Sequence, residues 1–174
     1  FSSVTYDIDL HYGANLVSFP ALPEDTYIGN IMTSIEETVE GVIGEGVAAN
    51  LLPNGNWVGS LDNISALSGY WIKQSEADIL EVTGLPTDAD VVFDLHYGAN
   101  LISYPFLGSA LLEETLPVEV YDNVTGIIGE GVAATILPNG DWAGSLDFLQ
   151  GTEGYWFVAT DAFEFSYIPP EISG

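Results

Sequence analysis

Basic residues are almost absent from this chain. Its 174 residues include one Lys or Arg, Lys73, against 26 Asp and Glu, for a formal net charge of −25. Binding nucleic acid needs clustered Lys and Arg to replace counterions, so nucleic acid is excluded as a partner. Anionic membrane surfaces are excluded by the same reasoning. Cysteine is wholly absent, which rules out a disulfide framework and a thiolate metal site. No apolar run approaches the roughly 18 residues of a membrane helix, so membrane insertion is not expected. The chain opens on Phe1, without an initiator Met or a signal-peptide pattern. It therefore reads as a processed protein or as a piece of a longer one.

What is present is enough apolar material for a packed core, 47% of residues. Charge of one sign at this density must be screened if the compact state is to survive. Two readings of the acidity stand side by side: adaptation to a salty medium, and specific binding of divalent cations. Either way stability is expected to rise with salt or calcium, because the Debye length shrinks from about 30 Å at 0.01 M to about 3 Å at 1 M ionic strength.

An internal repeat organises the sequence. Asp9-Leu10-His11-Tyr12-Gly13-Ala14-Asn15-Leu16-Val17-Ser18-Phe19-Pro20 returns as Asp94-Leu95-His96-Tyr97-Gly98-Ala99-Asn100-Leu101-Ile102-Ser103-Tyr104-Pro105, an offset of 96 − 11 = 85. Gly41 to Asp62 returns as Gly126 to Asp147, and Gly69-Tyr70-Trp71 as Gly154-Tyr155-Trp156, at the same offset. Two β-rich modules follow as the expected domains, residues 1–86 and 87–174. Between the repeated blocks, Ala21 to Glu40 and Phe106 to Thr125 match in length but hardly in residue.

Within a module, Thr5 to Leu10 alternates polar and apolar, the period of a half-buried strand. Gly13-Ala14-Asn15 reads as a turn into a second strand, Leu16 to Phe19, and the two together predict a hairpin. Ile28, Ile31, Met32 and Ile35 fall at helical spacing. The second copy predicts a shorter helix from Leu111 to Leu116, ended by Pro117. Gly44-Glu45-Gly46 predicts a bulge or sharp bend within a strand pattern. Pro53-Asn54-Gly55 predicts a hairpin with a type I′ turn. The fold class is thus mainly β, a sandwich-like module of six or seven strands and one short helix, written twice.

The sequence from Gly13 to Pro20, with Gly69-Tyr70-Trp71 some fifty residues on, resembles a G-x-N-L-I-S-x-P / G-Y-W repeat of large secreted or cell-surface proteins, often of marine bacteria. Both copies carry both motifs, so the resemblance spans nearly the whole chain. It implies an exported, non-catalytic setting and supplies no catalytic residues. This chain departs from the usual pattern in its scarcity of Lys and Arg.

Candidate chemistry is sparse. His11 and His96 each follow an aspartate by two residues, and on a strand Asp9 and Asp94 share a face with them. A metal pair or catalytic dyad stands against a turn-proximal His that hydrogen-bonds locally. One His and one carboxylate per copy are too few for zinc. Ser18, Ser60, Ser103 and Ser145 lack a nucleophile-elbow context. Trp57 and Trp142, after the Asn-Gly turns, and Tyr70 and Tyr155 are candidate sugar-stacking residues, against ordinary core aromatics. Adjacent residues point to opposite faces, and Trp71 and Trp156 are expected to be more buried than Tyr70 and Tyr155. Glu45, Asp62, Glu130 and Asp147 lie in oxygen-rich loops that calcium could occupy, although no EF-hand or nonapeptide spacing is present. No other cofactor is implied. Asn63-Ile64-Ser65 and Asn123-Val124-Thr125 match the glycosylation sequon.

Three functions compete on this reading. The first is an extracellular structural or adhesive module acting by association, with itself as a surface layer or filament, or with other surface proteins. The second is a carbohydrate-binding module taking a polysaccharide. The third is an enzyme, for which no motif speaks. The uncharged, strand-prone segment Phe1 to Tyr6 is either the first strand of its own module or an addition to a neighbour's sheet.

Overall fold

The computed structural model describes residues 2–170 and is mainly β, built from antiparallel sheets with three short α-helices. In the first half, β2 (Gly13–Ser18), β4 (Val39–Gly44), β5 (Val47–Leu51), β6 (Trp57–Gly59) and β7 (Gly69–Gln74) form one five-stranded sheet, ordered β2-β7-β4-β5-β6. A second sheet, ordered β1-β8-β3, holds β1 (Val4–Leu10), β3 (Ala21–Leu22) and β8 (Asp78–Pro86). Helix α1 (Ile28–Ile31) and a 3-10 turn (Thr33–Ile35) link β3 to β4.

In the second half, β9 (Phe93–Leu95) is followed by β10 (Gly98–Ser103), β11 (Ser109–Leu111), α2 (Leu112–Thr115) and α3 (Val118–Asn123). Then come β12 (Val124–Gly129), β13 (Val132–Ile136), β14 (Trp142–Gly144), β15 (Phe148–Gln150), β16 (Gly154–Ala159) and β17 (Phe163–Phe165). The five-stranded sheet here runs β10-β16-β12-β13-β14, the same order displaced by 85 residues. Register follows: Leu16 faces Trp71 and Leu101 faces Trp156, while the same bulge recurs at Val39/Gly41 and Val124/Gly126. The remaining strands differ. β1 pairs with β8 over seven residues, whereas β9 pairs with β17 over three, and β11 pairs with β15 on its own.

One apolar cluster lies between the sheets of each half. In the first, Ile8, Leu10, Leu80 and Val82 meet Val17, Val42, Tyr70 and Ile72. In the second, Phe93, Leu95 and Phe165 meet Ile102, Ile127, Tyr155 and Phe157. The period-2 pattern of β1, with Ile8 and Leu10 buried and Asp7 and Asp9 exposed, supplies one wall of the first cluster.

Several expectations are corrected. β1 and β2 do not form a hairpin: β1 pairs with β8 and β2 with β7. Gly13-Ala14-Asn15, expected as a turn, already pair with β7 as the start of β2, so His11-Tyr12 carry the chain from one sheet to the other, held by the buried Asn15 amide. Its oxygen accepts the His11 N–H, and its nitrogen donates to the carbonyls of His11, Gly13 and Ile72. Asn100 repeats these bonds. Glu45-Gly46 is the tight turn joining β4 to β5, made possible by Gly46 at φ 74°. The Asn-Gly hairpin forms, but not as type I′: among the described residues only glycines have positive φ, so Asn54 stays right-handed and Gly55, at φ 88°, takes the left-handed position. In the second half the expected short helix is α2, which ends before Pro117 with Leu116 extended; the correction there is a further helix, α3, which follows Pro117 at its N-cap. Within the described part of Phe1 to Tyr6, Val4–Tyr6 belongs to the chain's own β1; Phe1 lies outside the described residues.

Tyr70 and Tyr155 are the buried members of their pairs, at 3% and 0% exposure, while Trp71 and Trp156 are only partly buried. The expected order is reversed because each tyrosine hydroxyl finds a partner inside, accepting the backbone N–H of Ser65 and of Gln150 respectively. Burial raises the pKa of both phenols.

Candidate functional site

The two halves meet through the outer edges of their five-stranded sheets, β2 and β10. Each is an edge strand whose outward N–H groups need partners. Ser18 N–H donates to the Thr152 carbonyl and Ser103 N–H to the Leu67 carbonyl, both at 3.1 Å. The serine hydroxyls add donations to Glu153 O and to Ala66 O, each 2.6 Å. Leu16 and Leu101, 2% exposed, belong to neither core cluster and are buried at this junction. Gly69 and Gly154 begin β7 and β16 where the halves touch. A Cβ on Gly154 would stand 2.8 Å from the Val17 carbonyl oxygen, so the close approach requires glycine.

Two carboxylates close the junction reciprocally. Glu130, in the β12–β13 turn, accepts the Leu16 N–H at 2.7 Å and meets His11 Nε2 at 2.5 Å. Glu45, in the β4–β5 turn, accepts the Leu101 N–H at 2.8 Å and meets His96 Nε2 at 2.5 Å. The other ring nitrogen of each histidine faces a carbonyl oxygen, that of Tyr12 at 2.7 Å or Tyr97 at 2.8 Å. Both ring nitrogens therefore face oxygens, a setting that suits the doubly protonated imidazolium beside a carboxylate. The pKa of His11 is raised by its bond to the Tyr12 carbonyl and then by Glu130. That of His96 is raised by Glu45 and then by the Tyr97 carbonyl. Each ring is more than half exposed, so solvent and salt screen these pairs. A cleft of about 350 Å³ flanks the His11 clasp and one of about 360 Å³ the His96 clasp.

The structure distributes the candidate residues as follows. His11 and His96 turn to a glutamate of the other half rather than to Asp9 and Asp94. Glu45 and Glu130 have both carboxylate oxygens engaged across the junction. Asp62 and Asp147 contribute backbone carbonyls that accept the N–H groups of Ile28 and Leu112. No group of three or more His, Asp or Glu side chains suited to a metal ion occurs among the described residues. No helix among them is long and apolar enough to cross a membrane.

Trp57 and Trp142 flank equivalent places but not equivalent surroundings. Trp57 and the partly exposed Tyr27 line a groove of about 660 Å³ beneath the Asn-Gly hairpin, with Glu36, Asn54 and Asn56. Trp142 instead packs edge-on against Tyr121, ring centroids 5.7 Å apart, and its indole N–H is shut away without an acceptor. Sequence reasoning weighed Ser18 and Ser103 only as nucleophiles, not as junction residues, and missed the two leucines of the junction. Their signal was the repeat itself, in which a buried-type Leu and a Ser recur on one strand. Compared with protein-family models, with curated proteins and with solved structures, the chain has no match in any of the three.

Proposed function

We propose that this chain is an extracellular structural or adhesive module that works by association of like β units through their sheet edges. The observation that carries the reading is reciprocal: β2 bonds to Thr152 and Glu153, just before β16, and β10 bonds to Leu67 and Ala66, just before β7. Each half offers the same set, a Leu and a Ser on an edge strand, a histidine beside it and a glutamate on a turn, and each receives it from the other. Such an isologous surface is self-complementary, so it fits like modules of the same kind. The sequence resemblance to repeats of exported proteins, and an acidity suited to a salty medium, support the extracellular setting. Among the described residues β1 keeps one long side unpaired, a template on which a further strand can add.

Light scattering of the intact chain tests this. The expected result is a mass above 18.6 kDa that grows with protein concentration, more steeply at about 1 M salt, where the Debye length is about 3 Å and repulsion among chains of charge −25 is screened. A mass that stays at the monomer value at every concentration, in low and high salt alike, overturns the proposal.

A further inference from the structure

The groove of the first half carries an inference independent of self-association: we propose that it binds a neutral oligosaccharide, and that the equivalent place in the second half does not. Three observations converge. The groove, about 660 Å³, has the size of a small-molecule site. Its walls combine two aromatic rings, Tyr27 and Trp57, with the amides of Asn54 and Asn56 and the Glu36 carboxylate. Sugars present the same pairing of surfaces: an apolar C–H face that lies against a ring, and a rim of hydroxyls that need donors and acceptors. No cation lines the groove, and the chain's charge of −25 repels polyanions, so the neutral members of the class fit and the uronic or sulfated ones do not.

The second half supplies the contrast. Position 36 follows the buried Ile35, and its counterpart Tyr121 follows the buried Val120 at the same offset of 85. In the first half that place holds an acidic side chain and the tryptophan beside it lines open space. In the second it holds a tyrosine whose ring covers Trp142. Gly29 keeps the first groove clear: a Cβ there would come 2.7 Å from the Tyr27 ring and 3.4 Å from the Trp57 ring. Leu112 bonds to Asp147 O as Ile28 bonds to Asp62 O, so Glu113 stands where Gly29 does.

The test titrates the intact chain, by tryptophan fluorescence and calorimetry, with neutral β-linked gluco-, manno- and galacto-hexaoses. Alginate oligomers and a proline-rich peptide serve as competing classes. One neutral hexaose is expected to bind saturably. Trp57→Ala and Tyr27→Ala should each weaken binding at least tenfold, Glu36→Tyr should abolish it by closing the groove, and Trp142→Ala should leave it unchanged. Should Trp57→Ala unfold, Tyr27→Ala decides, since that ring is already 43% exposed. Absence of binding to every neutral sugar, binding of the acidic oligomer or the peptide instead, or equal loss in Trp57→Ala and Trp142→Ala overturns the proposal. Each of these results is read per chain and stands whatever light scattering shows about assembly.

Discussion

The two halves keep one five-stranded sheet and fill it with different chemistry. In the first, Ile8, Ile72, Leu80 and Val82 pack as aliphatics. Their counterparts 85 residues on are Phe93, Phe157, Phe165 and Tyr167, which stack and cross at centroid distances between 5.0 and 6.3 Å. At the sheet's end, Thr38, Gln74 and Asp78 form a hydrogen-bonded group where the second half has Asn123, Ala159 and Phe163. What does not change is the polar and glycine framework: Asn15 and Asn100 in their turns, Ser18 and Ser103 on the edges, and the glycines where the strands touch. The backbone path is thus fixed by a few side chains that bond to it, while the interior tolerates any apolar set of suitable shape.

Truncation of the two cores should expose that difference most strongly. Phe157→Ala is expected to cost about 3–5 kcal/mol and Ile72→Ala about 2–5 kcal/mol, both side chains being fully buried. The aromatic set adds ring–ring contacts worth about 0.5–1.5 kcal/mol a pair beyond burial. Equilibrium denaturation of the two variants measures the gap. Equal losses, or a larger one for Ile72→Ala, would mean that the aromatic cluster is no more than bulk filling.

A smaller and opposite-looking test imports a residue from one half to the other. Ala66 occupies the first half where Gly151 occupies the second. A Cβ on Gly151 would lie inside contact distance of the Phe106 carbonyl. Gly151→Ala is therefore expected to destabilise by about 1–3 kcal/mol, although it only installs the other half's residue. A neutral result in thermal melting would show that the 106–108 segment is free to move away.

Where the halves agree, matched substitutions should agree too. Asn15→Ala and Asn100→Ala each remove a buried amide and strand backbone groups of the crossover turn, at a cost of about 1–3 kcal/mol. The two losses should fall within about 0.5 kcal/mol of one another. A large inequality would show that one turn has an alternative set of partners.

These contrasts also explain what could be read in the chain beforehand. The repeat, the mainly β class and the Asn-Gly hairpins are local signals, carried by spacing and by glycine. The partner of β1 was not local: alternation in Thr5 to Leu10 sets a buried face but does not say which strand lies beside it, and the Asn15 amide that turns the chain between sheets resembles any turn residue. The inward choice of Tyr70 over Trp71 depended on a hydroxyl partner, Ser65 N–H, five residues away in sequence. Glu45 and Glu130 stood out between glycines, but their partners lie 51 and 119 residues away, so a loop carboxylate open to calcium and a clasp on the other half look alike in sequence.

The weakest expected effect concerns the clasps themselves. Both histidines have pKa values raised in the folded state, so protonation favours the folded chain. The stabilisation is complete below the unfolded value of about 6.5 and is lost as pH rises through the raised folded value. A double variant, His11→Gln with His96→Gln, removes it without adding charge. Its melting temperature should fall below that of the parent at pH values under about 6.5, and the two should converge once the pH exceeds the raised folded value. The gap should shrink with salt, since both rings are exposed. Salt should nonetheless raise the melting temperature of both proteins, because screening of 26 acidic residues outweighs the loss at two surface pairs. The single variants should each account for half of the gap, as the two clasps share one geometry. A gap that grows with pH, or that belongs to one histidine alone, would show that the junction is held at its two ends by different means.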